Sequence, residues 1–383
     1  MTWLPNPIVT IGGVVYTSET LWNVSINYGR TTVWEQARAS YAQINILNLS
    51  NVAVAFFIND TVTVTLEDSV GANTTVFTGF VTGIENKITQ SGDVAKVLTH
   101  QVSAVGSFAF MARKVVGTTA YPKEYDDARI NRIFTEAGVS VGVVDTPPVY
   151  EFTARAANPE DAYSLAAYYA QMAMGYIYET TDGKVNYANE SHRTNEVEDY
   201  GYYHIENHWI LSANIASRQT LNDVTNDVLL TYKANATKTA SDATSIALYG
   251  LQSASIATEL ENGTEAQYQA DRYILLRSNP QTSLSSFTVQ LNTSLMTSAA
   301  LDVFLDMYMG KPIQVLDLPA GIIDGTYNGF VEGWNLSFNR YEAAMTLTTT
   351  DSTLSFTPTR WQDVNPTKEW QDVDPALQWF EYI

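Results

Sequence analysis

The chain has 383 residues, 45% hydrophobic and 16% charged, which is material for about two to three domains with cores of their own. Its 41 acidic residues against 21 basic ones give a net charge of −20, a field that repels nucleic acid and anionic membranes and argues against specific binding to either. Cysteine is absent, so a disulfide framework and a thiolate metal site are both excluded.

The opening residues, Met1 to Pro7, have neither the basic nor the apolar stretch of a signal peptide. The longest fully apolar run, Val52 to Ile58, is far short of the roughly 20 residues of a membrane span. A soluble chain made in a cytoplasm is expected. Up to about residue 110 the pattern is one of strands and turns. Val62, Val64 and Leu66 alternate with threonines, Ala42, Ile44 and Ile46 alternate likewise, and Gly12-Gly13 and Gly71 with Asn73 mark turns. The 23 tyrosines and 8 tryptophans add to this β character.

From Tyr121 the period becomes helical. Asp126 to Ala137 aligns Ile130, Ile133, Phe134 and Ala137, with Gly138 placed as a C-terminal cap. A second helix is expected from Pro159 to Met174, with Asn158 as N-cap, Leu165, Ala166, Tyr169, Met172 and Ala173 as its buried stripe, and Gly175 as its stop. Tyr176-Ile177-Tyr178, Asp182-Gly183 and Val185 to Tyr187 then read as a hairpin with an Asp-Gly turn. After Trp209, strands are expected at Val228 to Tyr232, Phe287 to Leu291 and Ile313 to Leu318, and helices at Glu265 to Arg277 and Ser298 to Met309.

One pattern occurs twice. Gly79, Phe80, Val81 and Gly83 match Gly329, Phe330, Val331 and Gly333, each set preceded by an aromatic residue at the same offset. Each lies between two strand-like stretches, the later ones near Val97 and Leu347. Two unrelated hairpins could share such a motif by coincidence; duplication of a β domain with other material inserted is the alternative. The expected fold class is therefore mainly β with an α/β insert. Two similar small β-barrel domains of tube type are expected at 1–110 and 208–355, the second with helical insertions. An α+β domain at 111–207 and an extended tail at 356–383 complete the chain.

The tail repeats Trp-Gln-Asp-Val, with Trp361, Trp370 and Trp379 nine residues apart and Pro366 and Pro375 in register. The prolines forbid a continuous helix and disfavour a central strand. Two readings compete: the tail folds back on its own body, or Trp361, Val364, Trp370, Val373, Trp379 and Phe380 dock on another subunit or protein, as aromatic anchors in extended segments do.

Catalytic chemistry is hard to place. His204 and His208 have metal-ligand spacing on a helix but no third ligand, and surface histidines are the simpler reading. No Gly-x-Ser-x-Gly elbow and no phosphate-cradling loop occur. Asp126-Asp127 and Glu160-Asp161 fall at expected helix starts, where acids favour the dipole. No catalytic, cofactor-binding or metal-binding residue is assigned, and an enzyme is not expected.

The order of five stretches resembles the minor tail proteins of long-tailed bacteriophages, of the tail-tip or baseplate-hub type. They are Phe77 to Thr82, Ala104 to Gly117, the helix before Gly175 with its hairpin to Val185, Gly329 to Trp334, and the Trp-Gln-Asp-Val tail. The resemblance implies a homotrimeric ring in the virion, two barrels per chain facing a hexameric tube. Its implied neighbours are a tube or distal tail protein above and a tip or fibre protein below, and DNA would pass through an acidic lumen without specific binding. The family has no single catalytic set, so none is carried over. A receptor- or carbohydrate-binding tail module and a cell-wall hydrolase are the alternative classes. Removing residues 361–383 separates the two readings of the tail. The truncated body is expected to keep its melting temperature and lose an assembly step, whereas a sharp fall in melting temperature would mean that the tail covers its own body.

Overall fold

The computed structural model describes residues 3–49, 53–90, 97–211, 215–233, 235–284, 286–323 and 325–355. The tail residues Trp361, Val364, Trp370, Val373, Trp379 and Phe380 lie outside this set.

Seven strands build the first part: β1 (Ile8–Ile11), β2 (Val14–Thr17), β3 (Leu21–Gly29), β4 (Tyr41–Asn48), β5 (Thr61–Glu67), β6 (Asn73–Gln90) and β7 (Val97–Val105). The alternating residues behave as their period requires: Ala42, Ile44 and Ile46 on β4 and Val62, Val64 and Leu66 on β5 are buried on one face. Gly12 and Gly13, at φ +56° and +84°, make the β1–β2 turn. The later strands Phe287–Gln290, Pro312–Leu316, Tyr327–Phe338 and Ala343–Asp351 belong to the same sheet, which has 12 strands. The two halves meet where β3 runs antiparallel to Tyr327–Phe338, from Gly333 opposite Gly29 to Phe338 opposite Val24. The protein is thus mainly β with an α/β insert, as expected. Twelve of its strands are joined edge to edge in one open antiparallel-dominated sheet, and the two expected barrels do not close among the described residues.

The insert follows β7. The helix Asp126–Ala137 has the expected bounds, buries Ile130, Ile133, Phe134 and Ala137, and ends on Gly138 at φ +68°. The second long helix runs Ala162–Met172, three residues later than the sequence suggests at its start. Glu160 and Asp161 are drawn into a short ladder with Val115–Val116, and the Asp161 carboxylate then caps the helix by accepting from the Ser164 N–H at 2.8 Å. Tyr176–Glu179 and Val185–Ala188 form the expected hairpin with Gly183 at φ +84°, and every residue of both strands is buried.

A separate three-stranded sheet has Asp227–Tyr232 between Ala236–Ser241 and Ser253–Ala257, with the helix Gly263–Arg277 beside it. The helix expected to reach Met309 stops at Leu305. Its last carbonyls are taken by Lys311, whose buried ammonium donates to Val303 O at 3.1 Å and Asp306 O at 2.8 Å. Burial lowers the Lys311 pKa to about 8. Among the described residues no helix is long and apolar enough to cross a membrane.

Gly29 sets the approach of the two halves. At φ +85°, a Cβ there would collide with the Glu332 carbonyl oxygen and sit 2.5 Å from Gly333 Cα. Gly29→Ala is expected to cost about 3 kcal/mol or more, since both backbone strain and steric overlap oppose it. The open turn position Gly13, with no atom near its missing Cβ, should lose only about 1–2 kcal/mol as Gly13→Ala. Chemical denaturation of the two variants tests the difference.

Candidate functional site

The duplicated motif is the feature that the fold brings into sharpest relief. Gly79, Phe80, Val81 and Gly83 lie on β6, and Gly329, Phe330, Val331 and Gly333 lie on Tyr327–Phe338. Their neighbours correspond pair by pair. On one side Val62 faces Gly79 and Ile313 faces Gly329. On the other, Phe80 faces Val105 and Phe330 faces Thr350, then Val81 faces Ala104 and Val331 faces Thr349. The register slips between Val81 and Gly83 and, at the same place, between Val331 and Gly333, so a β-bulge falls on Thr82 in one copy and Glu332 in the other. By this register Leu347 corresponds to Val102 rather than to Val97.

The approach to the motif is also duplicated. Asn59 N–H donates to Val81 O at 2.8 Å and Gly310 N–H to Val331 O at 2.7 Å. Asn59 and Gly310 both have positive φ, at 74° and 93°. Gly79 and Gly329 are glycine for the same reason. A Cβ at Gly79 would lie 2.5 Å from Val105 O and 2.7 Å from the Phe77 ring, and one at Gly329 would lie 2.8 Å from Thr350 O and 2.7 Å from the Tyr327 ring.

The bulge residues differ. Thr82 is exposed, whereas Glu332 is fully buried. The Glu332 carboxylate accepts from Arg30 Nε at 2.6 Å and pairs with Arg193 at 2.8 Å. Burial alone would raise its pKa, but the Coulombic pull of Arg193 and Arg30 outweighs this and lowers it to about 2. Arg30 comes from the end of β3 and Arg193 from the helix His192–Tyr200, so this carboxylate ties the first half, the insert and the second half together. Next to it lies a cavity of about 80 Å³ lined by Arg30, Trp34, Arg193, Arg272, Tyr273 and Arg277 among others. Arg272 pairs with Glu190 at 2.5 Å. The buried Arg277 guanidinium sits 4.0 Å from the Trp34 ring centre and 4.5 Å from that of Tyr273, and burial lowers its pKa.

The first half and the insert have a second polar tie. The buried Glu179 carboxylate accepts from Ser40 N–H at 2.6 Å and from Phe108 N–H, and burial raises its pKa. None of these ionic residues carried a local signal in the sequence, because each partner, apart from Tyr273 beside Arg277, lies far along the chain.

The other residues weighed from the sequence do not converge. His204 lies on the strand Tyr203–Glu206 and His208 in the short turn Asn207–Trp209, so no helix sets them on one face. Among the described residues no group of three or more metal-ligating side chains gathers. Asp126 is buried at its helix start, where it accepts from Val149 and Tyr150 N–H and Tyr187 Oη, and burial raises its pKa. These are structural bonds with no open face for a reactant.

Comparison with solved structures identifies the architecture. The 43 kDa tail protein of prophage MuSo2 from Shewanella oneidensis superposes with a TM-score of 0.62 at 13% identity, over 92% of this chain and 98% of that one. The tail protein from Neisseria meningitidis MC58 gives 0.61 at 11% identity over 92% and 98%. Prophage tail protein gp18 from Listeria monocytogenes EGD-e gives 0.54 at 9% over 90% and 94%. The chain has the fold of prophage tail proteins. No protein-family model matches the sequence, and no curated protein matches it. The likeness is one of fold, extending over 90 to 92% of this chain at 9 to 13% identity.

Removing the Glu332 charge tests the junction. Glu332→Gln leaves Arg30 and Arg193 without a buried counter-charge and is expected to cost about 3–5 kcal/mol. The pH dependence follows in sign. A carboxyl lowered to about 2 from an ordinary 4.5 stabilises the fold when ionised. That contribution is complete above about 4.5 and is lost as pH falls toward 2. The acid limb of a stability–pH curve should therefore be shallower in the glutamine variant.

Proposed function

We propose that the chain is a structural hub of a bacteriophage tail, a virion component made in the host cytoplasm. Three copies form a ring that joins the tail tube to the tip or fibre proteins and lets DNA pass. The observation that carries this reading is the duplication: two sheet units of one chain share strand order, register, bulge and approach geometry. Three chains then offer six similar units to a six-fold tube, and a chain with one such unit would need six copies to do the same. The shared fold with prophage tail proteins supports the setting.

In this reading the tube-type units are residues 1–110 and 208–355, the 111–207 insert braces them, and the 356–383 tail is a connector. Trp361, Val364, Trp370, Val373, Trp379 and Phe380 dock on an adjoining tail protein, since aromatic anchors in an extended segment suit burial in a partner's surface. The −20 charge suits a lumen that phosphates traverse without adhering. The role is architectural, with no catalytic residue, cofactor or metal assigned.

Mass measurement and electron imaging of the purified full-length chain test the proposal. The expected result is a particle of three-fold symmetry with a central opening. A chain that remains monomeric at all concentrations, with or without tube protein, overturns it.

A further inference from the structure

The second half covers an edge that the first half leaves open. Along Gly333–Phe338 the later strand has Ala343–Asp351 on one side and β3 on the other. At the matching place on β6, Gly83 to Ile88 have β7 on one side. On the other side β5 ends its pairing at Phe80, and Val81 is the last residue bonded there, to Asn59 and Asp60. Beyond it, no strand lies alongside among the described residues. Glu85, Asn86, Lys87 and Ile88 are exposed, Ile88 at 67%. An unpaired edge presents a row of free N–H and C=O groups to any strand that fits.

A glycine marks the same asymmetry. At Gly333 a Cβ would lie 2.6 Å from Tyr28 O and 2.8 Å from Arg30 O, so the covering strand requires glycine. At Gly83 a Cβ would meet only Ser103, at 3.6 Å. Nothing in the single chain calls for glycine at 83; a strand laid on that edge as β3 is laid on Gly333 would.

The repeat also names that strand. β4 beside β7 corresponds to Phe287–Gln290 beside Ala343–Asp351, since Ile44 faces Val102 as Phe287 faces Leu347. The partner of β4 on its far side is β3, and Leu21 opposite Ile46 corresponds to Ile210 opposite Val289. Asn27 opposite Tyr41 corresponds to Ser217 opposite Leu284. The counterpart of β3 therefore ends in Ser217–Arg218, and its outer side has no strand partner among the described residues. Ser217–Arg218 forms a two-stranded ladder of its own with Ser283–Leu284, tied to the large sheet by the Ile210–Val289 bridge on Phe287–Gln290, whose ladder partner is Ala343–Asp351. The β6 edge lies across that sheet, beyond β3, β4 and β7, so the two pair between copies.

We propose that the Gly83–Ile88 edge of one copy pairs antiparallel with the Ser217–Arg218 strand of a second copy of this chain, continuing the sheet head to tail. The internal junction sets the register. Asn335 opposite Asn27 places Glu85 opposite Ser217, and Trp334 opposite Tyr28 places Ile84 opposite Arg218. Such a heterologous contact closes into a ring when its rotation allows. Its affinity comes mainly from main-chain hydrogen bonds. The inference rests on the ring reading above and specifies its contact.

Because the chain has no cysteine of its own, cross-linking tests the register directly. Asn335 Nδ2 and Asn27 Oδ1, the internal counterparts, approach to 2.9 Å, and directly opposed residues are within disulfide reach. Full-length E85C and S217C chains, mixed and oxidised, should give a covalent dimer that neither forms alone, and the E85C/S217C double variant should give closed multimers. E85C mixed with L229C, whose Leu229 is 42% exposed on the separate sheet, should give none. Gly83→Val should fold with an unchanged melting temperature and fail to assemble. Assembly of the E85C and S217C chains with no 85–217 disulfide formed on oxidation, or oligomers that persist in Gly83→Val, overturn the edge assignment and leave the ring intact. A wild-type chain that never assembles overturns both.

Discussion

The structure depends on one buried carboxylate held between two guanidinium groups. Glu332 receives Arg30 from the first half and Arg193 from the insert, at 2.6 and 2.8 Å. A buried ion pair gains little over apolar packing of the same volume, but a broken one is costly. The contact therefore acts as a registration device more than as a source of stability. It fixes where Tyr327–Phe338 lies on β3, and the neighbouring Arg30 N–H to Glu332 O bond of 2.9 Å lies on the same line. A slip of one residue along that ladder would reverse the faces of Trp334, Leu336 and Phe338 and leave the charges unpaired.

The same bulge carries opposite chemistry in the two repeats. On Glu332 it turns a carboxylate inward to its arginines; on Thr82 it presents a hydroxyl to solvent. The aromatic residue before it diverges too: Phe330 is fully buried beneath Arg193, whereas Phe80 is half-buried against Phe110. The two repeats share a backbone plan and differ in their side chains. One is the internal joint, fixed by charge, and the other presents a plain strand edge.

Much of this plan was legible in the sequence wherever the cause is local. The helix Asp126–Ala137, its glycine cap and the hairpin at Asp182-Gly183 are set by residues within a few positions of one another. The motif glycines were legible as a repeat, because close backbone approach at Gly79 and Gly329 tolerates no Cβ. What could not be read has distant causes. Arg30 and Glu332 are 302 residues apart, and neither sits in a pattern that names the other. The strands Ala236–Ser241 and Ser253–Ala257 have no buried residues and are small and polar, so no hydrophobic alternation betrays them. The later start of the Ala162–Met172 helix reflects competition from Val115–Val116, a partner more than forty residues back.

This division explains how a fold can persist at 9 to 13% identity with the solved tail proteins. Most of what joins the elements here is backbone pairing, which constrains side chains only at points of close approach. Gly29 against Glu332, Gly79 against Val105 and Gly329 against Thr350 are such points. Elsewhere the sheet needs an apolar residue on alternate positions and accepts many choices: Val, Ile, Leu, Phe and Met all fill the core. Substitution can then run far while strand order, register and bulge stay fixed. In this chain those glycines and the Glu332 ion pairs are where the backbone plan admits the fewest substitutions.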